Sequence, residues 1–93
     1  MTMTFDDEMA RLRNEINRLN GEILDRLAER VGVARAIVEV KRRHGKPIVD
    51  AARERVVLDQ IRAQAAELGL DPEDVERIYR AIIDLCVEAE KNP

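Results

Sequence analysis

Cysteine, aromatic rings and excess positive charge are all scarce in this sequence. Cys86 is the only cysteine, which excludes an internal disulfide and a zinc site built from several cysteines. Phe5 and Tyr79 are the only aromatics, and the net charge is −3. That combination argues against a general nucleic-acid binder, which shows a basic footprint and often stacking rings. No run approaches the roughly 18 apolar residues of a membrane-spanning helix. The opening MTMTFDDEM lacks the basic and apolar regions of a signal peptide. Neither nucleic acid nor membrane is therefore expected as a partner, and a cytoplasmic protein is the expectation. Four glycines and three prolines leave few breaks in the chain.

What remains is rich in Ala, Leu, Ile, Val, Glu and Arg, with 45% hydrophobic and 38% charged residues. This is the composition of an all-α protein, and 93 residues make a single domain spanning 1–93 with an adequate but not generous core. Thr4 followed by Asp7 reads as a capping box, and the helical pattern then runs to Arg43, before Gly45 and Pro47. Asp50 is an N-cap for a second helix reaching about Leu68, and Gly69 ends it. Asp71 caps a third, with Pro72 at its first position and an end near Lys91. The first helix is about 58 Å long and the others about 28 Å each. Folded back along the first, the short helices would leave much apolar length bare, and a bare stripe of that extent marks an interface. The expected assembly is an intertwined homodimer in which two long helices share a core.

Alternating steps of three and four from Arg13 trace Arg13, Ile16, Asn20, Ile23, Leu27, Arg30, Ala34, Ile37 and Lys41, an unbroken heptad seam. Leu12 and Leu19 form a second apolar row beside its first half. Three cations on a seam that should be apolar require anionic company, because an unpaired buried charge costs several kcal/mol. Salt bridges to Asp50, Glu54 or Glu90, or snorkelling stems, would supply one answer. A bound anion supplies another, slightly favoured by the spacing. Arg30 and Lys41 are about 16 Å apart on one face, leaving room for a compact molecule between their side chains. Arg13 lies about 25 Å from Arg30 and reaches the same molecule only from a second chain. Asp50, Arg53 and Glu54 crowd the start of the second helix, whose amides favour a hydroxyl or carboxylate. Ile82 or Ile83, then Cys86 and Glu90, line one edge of the third. Such a pocket suits a small polyanion bearing hydroxyl or ether oxygens.

The stretch LRNEINRLNGEILDRLAERVGVARAIVEVKRRHGKPIVDAARERVVLDQI, followed by GLDPEDVERIYRAII, closely resembles the all-helical chorismate mutases over residues 9–90. The shared features are an LR near the start, a mid-helix ER, a lysine eleven residues on, a G-x-P-I turn, D-x-x-R-E, and GLDP before the last helix. The resemblance implies the rearrangement of chorismate to prephenate in aromatic amino-acid biosynthesis, without a cofactor. It further implies that the partner's Arg13 and Arg30 hold the two carboxylates, and that Lys41 bonds the ether oxygen and a carboxylate. Arg53 would add positive charge, while Glu54 and the backbone at Asp50 would take the ring hydroxyl.

Two positions depart from the bacterial pattern, with Cys86 where serine is common and Glu90 where glutamine is. Cys86 is a weak donor and equally a small buried apolar residue. Glu90 can donate to an ether oxygen only when protonated, unlike glutamine. Burial and a dianionic substrate favour the protonated form, and Lys41 opposes it. His44, in a basic turn with Arg42, Arg43 and Lys46, is expected to face solvent, and Tyr79 to be a core or interface residue. Rival readings are an isochorismate pyruvate lyase on the same scaffold and a non-catalytic helical dimer. The initial methionine and an end at Asn92 and Pro93 suit a free-standing domain.

Overall fold

A computed structural model describes residues 2–91; Asn92 and Pro93, expected as a frayed end, lie outside them. The described residues form three helices, α1 Phe5–Arg43, α2 Ala51–Glu67 and α3 Pro72–Lys91, and no strand. No helix among them is long and apolar enough to cross a membrane.

Local chemistry sets each boundary. The Thr4 hydroxyl accepts the Asp7 amide at 3.1 Å, and the Asp7 carboxylate accepts the Thr4 amide at 3.2 Å. That reciprocal pair satisfies two amides that the first turn would otherwise leave open. The backbone hydrogen bond from Thr4, joined by the hydroxyl contact, holds the Asp7 carboxyl below its usual range. The Asp50 side chain accepts the Arg53 amide at 3.0 Å, and Asp71 accepts those of Glu73 and Asp74. At their C-termini, α1 and α2 close alike. Gly45 and Gly69 adopt φ of 63° and 74°, the left-handed region that glycine enters without steric cost. Lys46 then donates to the Lys41 carbonyl and Leu70 to that of Ala65, completing two Schellman motifs.

The packing is unequal. α3 rests against both other helices, whereas α2 touches α3 and not α1. The buried core comprises Ala34 and Val38 of α1, Leu58 and Ala65 of α2, and Ile83 and Cys86 of α3. Val38 is buried although it lies beside the heptad seam, because α3 approaches α1 from that flank. Arg62 ties α2 to α3 through Glu73 at 2.7 Å and Glu76 at 3.0 Å. The hydrogen bond from Arg62 lowers the Glu73 carboxyl below its usual range.

The protomer is a rod with a short foot, 66 × 28 × 15 Å, and its radius of gyration is 18.0 Å. A compact chain of this length would have about 12 Å. Nothing from Phe5 to Glu29 is buried, and Leu12, Ile16, Leu19, Ile23 and Leu24 are all exposed. The half of the seam that the short helices do not reach is therefore the half left bare.

Candidate active site

At the other end of the seam, the same helix helps to enclose a cavity of about 420 Å³. Small-molecule pockets usually span about 300–1,000 Å³, so a compact ligand would fill it. α1 contributes Arg30, Val33, Ala34, Ile37 and Lys41; the α1–α2 connection contributes Ile48 and Val49. Asp50 and the first turns of α2 add Arg53, Glu54 and Val57, and α3 adds Ile83, Cys86, Val87 and Glu90. Seven sequence-predicted residues, Arg30, Lys41, Asp50, Arg53, Glu54, Cys86 and Glu90, thus meet around one space. Of the two α3 isoleucines considered, Ile83 faces it and Ile82 does not. Arg13 is exposed on the bare part of α1 and takes no part in the cavity of its own chain.

Arg30 and Lys41 are each held by a neutral group. Arg30, half-buried, donates from Nη1 to Cys86 Sγ at 2.9 Å, a contact linking α1 to α3. Sulfur is a weak acceptor, so this contact orients the guanidinium without neutralising it. Cys86 is buried, which realises its reading as a small core residue and also puts it beside a charge. Lys41 donates from Nζ to the Ile48 carbonyl at 2.7 Å, while its own carbonyl accepts the Lys46 amide. The turn that ends α1 therefore fixes Lys41 at both backbone and side chain. Neither Arg30 nor Lys41 pairs with a carboxylate among the described residues. Among the described residues, neither cation forms a salt bridge to Asp50, Glu54 or Glu90.

The acids are disposed differently. The Asp50 side chain caps α2, and the residue also lines the cavity. Glu54, half-buried, accepts Arg80 Nη1 on Oε1 at 2.7 Å across the α2–α3 contact. Glu90, half-buried in the last turns of α3, lines this cavity and a shallower one bounded by Arg35, Glu39 and Arg42. His44 is exposed and serves as the C-cap of α1. Tyr79 is half-buried.

The sequence reading did not single out Arg80. Extending the α3 edge of Ile83, Cys86 and Glu90 by one turn toward its N-terminus reaches Tyr79 and Arg80, but nothing in that spacing says which acid Arg80 meets. The aliphatic walls, Val33, Ile48, Val49, Val57 and Val87, were also unannounced. They lower the local dielectric around the cations and so strengthen their action on a bound charge.

Known proteins share this arrangement of sequence. Residues 12–91 match the profile described as chorismate mutase type II. A 4-amino-4-deoxychorismate mutase of Streptomyces venezuelae is 35% identical over 85 residues, covering 90% of this chain and 82% of the relative. The chorismate mutase of Methanocaldococcus jannaschii is 31% identical over 78 residues, 84% of this chain and 79% of the relative. A bifunctional chorismate mutase/prephenate dehydratase of Aquifex aeolicus is 38% identical over 88 residues, 91% of this chain but 24% of that longer protein. With the profile and two of these relatives matching along most of the chain, the chain belongs to the chorismate mutase type II family.

Proposed function

We propose that the protein is a chorismate mutase that rearranges chorismate to prephenate in the cavity between α1, α2 and α3. The observation that carries this reading is the pair of half-buried cations, Arg30 and Lys41, facing one aliphatic-walled space with, among the described residues, only a thiol and a carbonyl as partners. A dicarboxylate supplies the missing charge. In the reaction the ether C–O bond breaks as a new C–C bond forms within one molecule, so no acid, base or nucleophile enters the balance. A compact reactive conformer and preorganised charge suffice. An acceleration of about a million-fold corresponds to roughly 8 kcal/mol, a scale those two effects reach.

In this reading Arg30 holds one carboxylate, and Lys41 stabilises charge developing on the ether oxygen. Arg53 adds positive potential, and Glu54 with the Asp50 backbone takes the ring hydroxyl. Cys86 keeps the Arg30 guanidinium in place and borders the substrate. Glu90 borders the substrate space from the last turns of α3.

Arg13 completes the site from a second copy of the chain. The bare apolar half of α1 supports a homodimer, and the charge along α1 supports an antiparallel one. Its first turn carries Asp6, Asp7 and Glu8, and its last turn Lys41, Arg42 and Arg43. Two such helices crossing in opposite directions near Ile23 and Leu24 set each acidic start beside the other's basic end. The same crossing brings the partner's Arg13 opposite residue 34, between Arg30 and Lys41.

The Streptomyces relative gives a second candidate substrate, the analogue with an amine in place of the ring hydroxyl. The test is to incubate purified protein with chorismate and identify the product. Prephenate supports the reading; release of pyruvate, or no turnover, overturns it.

A further inference from the structure

The ion pair between Arg80 and Glu54 is the only carboxylate contact at the cavity that joins two helices by an Arg side chain among the described residues. Resting on the chorismate reading above, the geometry points to Arg80 as a positioning residue that sets which ring substituent Glu54 accepts, a neutral hydroxyl in preference to a cationic amine.

The placement is specific. Glu54 lies in the first turns of α2 with its amide bonded to the Asp50 carbonyl at 3.0 Å, so its backbone is fixed by the cap. Its side chain is 22% exposed, turned into the cavity rim, while Arg80 is 47% exposed and is not part of the cavity wall. Arg80 thus approaches Glu54 from outside. It continues the α3 face that carries Ile83, Val87 and Glu90, one turn before the wall begins. Bonding to Oε1 leaves Oε2 free to accept a proton donor from the cavity.

Two consequences follow from that pairing. The carboxylate loses rotamer freedom before substrate arrives, which lowers the ordering cost of binding. Its charge is also balanced by a guanidinium on the far side. A hydroxyl donates to Oε2 with no net charge of its own and is indifferent to Arg80. An aliphatic ammonium in the same place would lie a few ångströms from the guanidinium and be repelled by it, so its attraction to Glu54 is largely offset. Without Arg80, Glu54 would present an unbalanced negative charge and favour the amine.

The test compares kcat/KM for chorismate and for its amine-substituted analogue in wild type, Arg80→Gln and Arg80→Lys, each also in a Glu54→Gln background. Circular dichroism confirms helix content, which the separate Arg62 tie between α2 and α3 should preserve. We expect Arg80→Gln to shift the ratio toward the amine by about fivefold, the scale of one partly exposed ion pair. Arg80→Lys should retain the wild-type ratio, and the shift should vanish with Glu54→Gln. An unchanged ratio in a folded Arg80→Gln protein, or an equal shift without the Glu54 carboxylate, overturns the assignment. Wild type inactive on both substrates would instead overturn the functional reading, and with it this inference.

Discussion

Replacing Lys41 by methionine removes one charge while keeping most of the aliphatic stem, and its effect can be worked from the site. The ammonium is half-buried, held by the Ile48 carbonyl at 2.7 Å, and has no carboxylate partner among the described residues. Half a negative charge developing on an ether oxygen about 3 Å from Nζ interacts with it by about 3 kcal/mol at an effective dielectric constant of about 20. Losing that term slows the chemical step by about 100-fold. The fold loses only the one bond to the Ile48 carbonyl, which costs about 1 kcal/mol. Continuous assay of chorismate consumption gives kcat, and thermal unfolding gives the control. The expectation is a kcat about two orders of magnitude lower with a melting temperature reduced by several degrees. A folded Lys41→Met protein with kcat within about threefold of wild type would refute the electrostatic role.

Three other perturbations have defined outcomes. Ile23→Asp puts a charge in the middle of the bare seam and should convert a dimer to a largely inactive monomer, seen by sedimentation; an active dimer would refute the shared core. Glu90→Gln, whose amide can donate to an ether oxygen where a carboxylate only accepts, should raise kcat for chorismate; an unchanged or lower kcat would remove Glu90 from the reaction. Arg62→Gln frees Glu73, whose lowered folded value makes its contribution present above about pH 4.5 and lost as pH falls through the folded value. The variant should therefore lose stability less steeply than wild type below about pH 4.5, and parallel curves from acid titration of unfolding would refute that coupling.

The elements readable from the sequence were those governed by nearby residues. Thr4 with Asp7, Asp50 and Asp71 satisfy amides within three residues, and Gly45 and Gly69 supply the left-handed turn their positions require. The seam likewise put Arg30 and Lys41 on one side of α1, where both line the cavity, since helical repeat fixes which face they share. Contacts between helices were less accessible. Val38 is buried because of the direction from which α3 arrives, and the seam pattern alone gives no such direction. Arg30 meeting Cys86 joins residues 56 apart, and Arg80 meeting Glu54 joins residues 26 apart. Both depend on how α3 is rotated about its axis. A periodic stripe about 100° wide leaves that rotation open by more than the width of one side chain.

The central claim, a site completed by Arg13 from a second chain, is tested most directly by mixing two defective variants. Arg13→Ala and Lys41→Met are unfolded together in equal amounts and refolded, and turnover of chorismate is compared with each variant refolded alone. Heterodimers then hold one site with both wild-type residues and one with neither. With random pairing, half the dimers are mixed, so the account predicts recovery of about a quarter of wild-type activity. Activity no higher than the average of the two variants, in a preparation shown to contain mixed dimers, would contradict it.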